Sequence, residues 1–420
     1  MCDDCGGCLD CKFLILEFSF MIALIFSLIL HVGSGESINT ALDSARTVYA
    51  QRGETTTILI EPGTYQEELT IDVPGLRMKN ASPTPSIKMY NQGVDCDKNA
   101  VRITWYYGHG YQYKSMGTTV NYGGSRTRKW NASVLVTAPD FYAEDIIFEN
   151  SFNMYVSERE AADDLVDISQ SNLEWTEKER PKKAMPTRPK TVGSTEVQQK
   201  RFRERAAAIS FTRTATNAHL KNCRAIGRQD VLYGEQGASI YWQGGVLQGS
   251  VDFIFGGMKM AVYRATIVAN INNEKNDKCY IAAGRSDSGG HEQADKYDGT
   301  TPVAQARGLL FYRCHIRYAT SDELAHPMTN DQLSINKGQQ QIYLSRPWRW
   351  WGETVWAYTT WNEGILHPAG WSTGLTKGKA CPNSYEYKSQ DKSQGRPEWV
   401  KVLERPILPD GTTIRVSNWR

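Results

Sequence analysis

The chain has 420 residues, enough for one large elongated domain or two ordinary ones. Its 48 basic and 46 acidic side chains leave a net charge of only +2, so no bulk attraction to nucleic acid is expected. Frequent Tyr, Trp and Gly suit an extracellular β protein with exposed aromatic platforms.

The chain opens on MCDDCGGCLDC. Cys2, Cys5, Cys8 and Cys11 have the short spacing of zinc or iron–sulfur ligands, but the run is too short to fold and abuts an apolar segment. A misassigned start codon or a palmitoylated patch accounts for it as well. Residues 13–30 are almost wholly apolar, broken only by Glu17, Ser19 and Ser27, and HVGSGES follows. The run exceeds the apolar core of a secretory signal, about 7–15 residues, and falls short of the roughly 20 of a membrane span. Residues 1–35 are therefore read as a Cys-rich tip plus an export signal or membrane tether, and 36–420 as the folded domain. The other cysteines (Cys96, Cys223, Cys279, Cys314, Cys381) are odd in number and scattered, unlike a disulfide framework; Cys223 and Cys314 read as buried thiols.

SINTALDSARTVYAQ is the clearest amphipathic helix, with Ile38, Leu42 and Val48 near one face. The rest is short β runs joined by Gly, Asn and Asp, from TTTILIEPGTYQEELTI onward. Similar steps begin at Ala218, Ile240 and Ala261, 22 and 21 residues apart. That period, with β content and few helices, predicts a parallel β-solenoid rather than a sandwich. A charged, Pro-bearing stretch at about 154–204 interrupts it; its start reads as a short helix and the rest as a long surface loop. It is either a solvated insertion or a wall of a substrate cleft. NAS at Asn80 and Asn131 fits a glycosylation sequon.

Two aspartates stand in the apolar stretch QDVLYGEQGASIYWQGGVLQGSVDFIFG. Asp230 and Asp252 are 22 residues apart, one coil of the predicted solenoid, so stacking makes them neighbours. Two carboxylates so close do not both ionise easily; one becomes an acid and the other remains a nucleophile. The plainer alternative is that each Asp caps a turn amide. Gln229 supplies an amide donor suited to an oxyanion. LSRPWRWW supplies Arg346, able to pair with a carboxylate, and Trp348, Trp350 and Trp351, whose faces suit sugar rings or ordinary packing.

These segments together resemble the pectin methylesterase (pectinesterase) family of carbohydrate esterases. GTYQE at 63–67 resembles G-x-Y-x-E, QDVLY at 229–233 resembles Q-D-T-L-Y, and DFIFG at 252–256 matches outright. YIAAGR at 280–285 resembles T-A-Q-G-R, LSRPW at 344–348 resembles L-G-R-P-W, and HPAGW at 367–371 resembles the final P-x-G-W. The order is also that of the family. The resemblance implies a right-handed parallel β-helix with long loops forming the cleft. It implies Asp252 as nucleophile on a methyl-ester carbonyl, Asp230 as general acid and then base, Gln229 at the oxyanion and Arg346 holding Asp252 charged. It places Trp348 at the sugar subsites, with Tyr233, Phe253, Thr64 and Val251 as further substrate contacts. It implies no metal and no organic cofactor, a secreted monomer, and methylated homogalacturonan (pectin) as partner.

One segment departs from the pattern. Where the family carries a second glutamine in Q-A-V-A-L, this chain has RAAAI, with Arg205 at the glutamine position. Arg205 can serve the oxyanion or face substrate carboxylates. An esterase or thioesterase with another substrate, or a non-catalytic binder of acidic polysaccharide, remain alternatives. A calcium-dependent lyase would need an acidic ligand cluster that the sequence does not clearly supply.

Overall fold

The computed structural model describes residues 28–117, 131–166, 186–270, 278–285, 307–323, 342–390 and 395–420. Their backbone forms a right-handed parallel β-helix. Between its two ends the chain passes in turn through a first sheet of 11 strands, a second of eight and a third of seven, all parallel; the terminal coils add strands to the first sheet alone. A two-stranded antiparallel pair, Met89–Tyr90 with Asp95–Cys96, stands apart.

The first strand is Leu28–Val32, paired in register with Thr56–Ile60. The end of the apolar run is thus a β-strand, and the folded unit starts upstream of residue 36. The Cys-rich tip and residues 13–27 lie outside the described residues. Among the described residues no helix is long and apolar enough to cross a membrane.

The helix Ile38–Arg52 closes this end of the solenoid and buries Ile38, Ala41, Leu42 and Ala45, while Val48 is only half-buried. Ser37 caps its N-terminus and Gly53, in the left-handed region, its C-terminus. The Glu67 carboxylate accepts from the Ile38 and Asn39 amides at 2.9 and 3.0 Å, an anion on the positive end of the helix dipole. The GTYQE segment therefore has an architectural use: Tyr65 enters the core and Glu67 holds the helix.

Stacking, not strand alternation alone, builds the core. On the first sheet Ile58, Met78, Ala143, Leu220, Trp242, Val262, Phe311 and Trp356 occupy one register column, all fully buried. Phe311 and Trp356 lie face to face, with centroids 3.8 Å apart. Full burial of each large apolar side chain stabilises the fold by about 1.5–3 kcal/mol. The register pairs Ala218 with Ile240, as the period requires, and Ile240 with Met260 rather than Ala261. Met260 points inward and Ala261 outward, and a one-residue slip would exchange them. Outside, the tail residues Leu408, Ile414 and Trp419 pack over Tyr241, Ala261, Leu310 and Val355.

The five described cysteines are free thiols, four of them buried. Asn131 is fully buried, and the Asn80 amide donates to the Asn99 carbonyl at 2.8 Å; the folded chain presents neither sequon for modification.

At the corner between the second and third sheets, long connections join Trp105 to Val134 and Asn150 to Ile209; of these, residues 106–117, 131–133, 151–166 and 186–208 are described. The described part of the charged insertion begins with the short helix Glu158–Ala162 and returns through 186–205. Buried Arg188 pins it: its guanidinium donates to Glu160 at 2.5 Å and to the Phe152 carbonyl at 2.6 Å, while Tyr113 donates to Glu160 at 2.8 Å.

Candidate active site

At the same corner, two successive coils turn in only a few residues. Gln229 forms a parallel bridge with Val251, which places Asp230 directly beside Asp252 in the stack. Both aspartates have positive φ, 58° and 48°, a conformation that Asp tolerates better than most residues. Their neighbours divide between inside and outside. Phe253 and Ile254 are core residues, whereas the recorded partners of the two carboxylates are guanidinium groups. This is how two carboxylates come to stand in an apolar segment.

Asp252 is held by a fork. Arg346 Nε donates to Oδ1 at 3.1 Å and Nη2 to Oδ2 at 2.5 Å. The guanidinium also lies over the Tyr280 ring, 3.9 Å from its centroid. Arg346 follows the strand Ile342–Ser345, two coils beyond Asp252, and Tyr280 belongs to the coil between. The arginine thus crosses about 10 Å of stacked backbone, with an aromatic face beneath its head. Tyr280 was not among the expected site residues; its place in YIAAGR carried no chemical signal beyond strand propensity.

Asp230 has a looser partner, with its Oδ2 3.9 Å from Arg205 Nε. The insertion delivers that arginine. Asn153 makes paired bonds with the Glu204 backbone, 2.6 Å to the carbonyl and 3.1 Å from the amide. The His109 amide donates to the Arg205 carbonyl at 2.9 Å, and the Ala206 amide donates to the Gln229 carbonyl. Along the helix axis the order is Arg205, Asp230, Asp252, Arg346.

Electrostatics separate the two acids. Burial pushes the Asp230 carboxyl well above the usual carboxylate range, and the neighbouring Asp252 charge pushes it further; Arg205 and Arg346 only partly oppose this. Burial raises Asp252 too, against the Arg346 fork. Asp230 is therefore the one to keep the shared proton, and Asp252 the one to ionise. A neutral carboxyl beside an ionised, forked carboxylate can donate a proton on one side of an ester and attack on the other.

The remaining expected residues fall in three groups. Tyr233, Phe255 and Trp348 form a row of rings with centroids 4.8 and 5.9 Å apart, and Tyr233 and Trp348 are half-exposed. Arg285 and Arg349 lie beside Trp348, at 5.1 and 5.7 Å from its ring. Half-buried Gln229 and Val251 flank the aspartates. Phe253 is 1% exposed and packs inward, and Trp350 and Trp351 are likewise buried, against Cys381. Thr64 is exposed on the second sheet three coils before Asp230, about 14 Å along the stack, and the structure does not bring it to the pair.

Comparison with known proteins agrees with this geometry. A pectinesterase family profile matches residues 196–399, which include Arg205, both aspartates and Arg346. The chain is 30% identical over 168 residues to an Arabidopsis thaliana protein named probable pectinesterase/pectinesterase inhibitor 23, covering 40% of this chain and 25% of that one. It is 22% identical over 218 residues to probable pectinesterase A of Aspergillus niger, covering 52% and 55%. The chain thus spans about a quarter to a half of the length of these relatives. Among solved structures, pectin methylesterase from carrot superposes with a TM-score of 0.56 at 18% identity, covering 89% of this chain and 88% of that one. A pectin methylesterase in complex with a hexasaccharide superposes at 0.53, also at 18% identity, covering 89% and 92%. At such identity these structures speak for the fold. Residues 196–399, just under half of the chain, thus match the pectinesterase family.

Proposed function

We propose that the chain is a carboxylic ester hydrolase that removes methyl groups from polygalacturonate methyl esters, releasing methanol and leaving free carboxylates. The observation that carries this reading is the stacked aspartate pair with unequal surroundings, Asp252 forked by Arg346 and Asp230 buried beside it. An Asp252 oxygen attacks the ester carbonyl, and the carbonyl π pair moves onto oxygen. The Gln229 amide stabilises that oxyanion. As the intermediate collapses, the bond to methoxide breaks and Asp230 supplies the proton that makes it methanol. The acyl group is now an anhydride on Asp252. Asp230, ionised, takes a proton from water, and the hydroxide attacks the acyl carbonyl. Asp252 leaves as a carboxylate and the polymer keeps a carboxyl group. No step requires a metal or organic cofactor. Trp348 and Tyr233 present ring faces to the sugars beside the scissile ester, and Val251 lines the floor.

The family belongs to polymer chemistry outside the cell, and we place this chain there as a secreted monomer. The test is methanol release from highly methylated pectin with calcium chelated. Release by the parent and its loss in Asp252→Ala and Asp230→Ala are expected. A folded parent that releases no methanol, or an Asp252→Ala variant that still does, overturns the mechanism.

A further inference from the structure

In the three-sided cross-section of the solenoid, the corner that holds the two aspartates lies opposite the first sheet. The outer face of that sheet, and the corner where it turns into the second, carry charge and rings that the proposed reaction does not use. The corner repeats from coil to coil with a residue at positive φ in each. Its early members are Asp145, Asn222 and Gly244, residue types that accept the left-handed region. Its next four are Arg264, Arg313, Tyr358 and Lys388, at φ 54°, 57°, 53° and 45°. Long side chains are uncommon in that region and are held there under strain. Four successive coils thus present large groups at a turn that a smaller residue makes more easily.

Cations and rings alternate along this corner. Tyr263, Tyr312 and Tyr387 share the register column just before it, with Ala357 between the last two. With Tyr358 they form a row of rings whose successive centroids are 6.2, 5.2 and 5.2 Å apart. The Arg264 guanidinium lies 5.1 Å from the Tyr263 ring, Arg313 lies between Tyr312 and Tyr358 at 5.7 and 5.6 Å, and the Lys388 ammonium lies 5.6 Å from Tyr387. The three cations are exposed, and Tyr263, Tyr312 and Tyr358 are half-buried. Among the described residues no carboxylate pairs with any of the three. The acids of this face stand at its ends: Glu144 is shared by Lys79 and Lys221 at 3.0 and 2.6 Å, Asp145 accepts from Asn222, and Glu404 comes after Lys388 in the last coil. The stripe runs along the axis for about 14 Å. The tail covers the neighbouring column at Ala261, Leu310 and Val355, and the half-buried rings pack against that cluster.

A guanidinium seated on a ring is held in orientation while its N–H edge stays in water, ready for a carboxylate. The rings meet one another tilted or edge-on, at 41°, 66° and 88°, so they leave no slot for a flat base. A half-exposed ring can still pack against the CH face of a sugar. We infer that this stripe is a second, non-catalytic binding site for an acidic polysaccharide, which sets its sugar rings on the tyrosines and its carboxylates on Arg264, Arg313 and Lys388. The inference goes beyond the hydrolase reading and does not depend on it. Where both hold, the face away from the aspartates grips the free-carboxylate stretches that ester hydrolysis leaves on the polymer.

The test uses the full chain and two double variants, Arg264→Gln with Arg313→Gln and Arg264→Lys with Arg313→Lys, with circular dichroism melts to confirm folding. Calorimetry follows binding of fully demethylated oligogalacturonate at low and high salt, with a neutral glucan and polyuridylate RNA as comparison probes. The catalytic corner is the same in parent and variants, so the difference between them reports the stripe. The parent should bind the acid more tightly than the glucan. The glutamine pair should weaken that binding about tenfold, the sum of two exposed charge pairs, and flatten its salt dependence; the lysine pair should keep most of both. Tyr312→Ala should bind more weakly than Tyr312→Phe. Methanol release from a short, fully methylated oligomer should be equal in parent and glutamine pair. Unchanged affinity and salt dependence in the glutamine pair overturn the inference, as does a parent that takes the glucan equally well. Tighter binding of the RNA, lost in the glutamine pair, overturns the polysaccharide in favour of nucleic acid. Acid binding that the glutamine pair loses, in a parent that releases no methanol, upholds the stripe and overturns the hydrolase reading alone.

Discussion

If Asp252 is the nucleophile as proposed, replacing Arg346 with alanine should disable the site by removing that carboxylate's charge rather than the site's shape. The fork has two bonds, 3.1 and 2.5 Å, and both side chains are largely buried, 18% and 11% exposed. Solvent therefore screens the pair only weakly. Taking away one partner of such a pair leaves an uncompensated charge in a dry setting, which costs about 3–5 kcal/mol. In the variant, Asp252 keeps its burial and its neighbour Asp230 but loses the largest influence that favours ionisation. At about 1.4 kcal/mol per tenfold, kcat/KM should fall roughly 10²- to 10³-fold. The pH profile carries the sharper signature. The proposed mechanism needs ionised Asp252, whose carboxyl burial already raises; without the fork it rises further, so the acidic limb of kcat/KM should move to higher pH. Arg346→Lys retains the charge and loses the fork, so its loss should be about tenfold with a smaller displacement of the limb. Methanol release measured across pH, with melts to confirm folding, decides the matter. An acidic limb that stays in place in Arg346→Ala, or a kcat/KM within about threefold of the parent, would refute the reasoning.

Three further outcomes follow from other parts of the molecule. Asp230→Asn should abolish methanol release and yet raise the melting temperature at neutral pH. A carboxyl whose folded pKa is raised gives stability that is whole below the unfolded value and lost as pH rises through the folded one, and asparagine does not titrate; a variant that melts below the parent throughout would contradict this. Glu353, which accepts from the Gly308 amide at 2.9 Å and lies 3.2 Å from Arg307, is pushed up by burial to about 7. The same sign applies, so stability should decline as pH climbs from the ordinary carboxylate range through about 7, by an amount on the order of 1–3 kcal/mol. Glu353→Gln should flatten that part of the melting profile. Arg188→Ala should destabilise the wall that carries Arg205 by about 3–5 kcal/mol, because Glu160 would be left buried with only the Tyr113 hydroxyl. Limited proteolysis should then cut within 186–205 faster than in the parent.

Much of this site could be read before any coordinates, for a physical reason. A parallel solenoid converts sequence spacing into spatial neighbourhood, so a 22-residue interval between Asp230 and Asp252 was already a statement of contact. The same logic failed where turns vary in length. Ala261 took the place that belongs to Met260, because coils need not repeat an integer period. Phe253 was expected at the substrate, but positive φ at Asp252 turns the aspartate outward and the next ring inward. Loops carry no period at all. The Arg188–Glu160 pillar joins residues 28 apart within irregular chain, and no pattern of side chains announces such a pair. Arg205 was visible as a departure from the family's glutamine, but the looseness of its contact with Asp230 belongs to geometry alone.

The distribution of turn lengths explains why the two aspartates meet at this corner. The coils holding Asp230 and Asp252 pass from second to third sheet in the short connections 227–231 and 250, which preserves the bridge between Gln229 and Val251. A long loop in either coil would uncouple the two aspartates and with them the pKa difference. The coil before the pair has no such constraint, and its connection between Asn150 and Ile209 includes the described residues 151–166 and 186–208. The short, stacked floor therefore lies beside the described wall that ends at Arg205. The two arginines come from just outside that floor, Arg205 one coil before the pair and Arg346 two coils after it. Their distances from the acids differ for that reason as well as by side-chain pose. Arg346 must cross the intervening coil and is fixed over Tyr280 as it does so, which commits its fork to Asp252. Arg205 arrives from the wall with its backbone carbonyl held by the His109 amide and its guanidinium 3.9 Å from Asp230. One arginine is thus committed to Asp252 by two hydrogen bonds, and the other meets Asp230 from the wall at longer range.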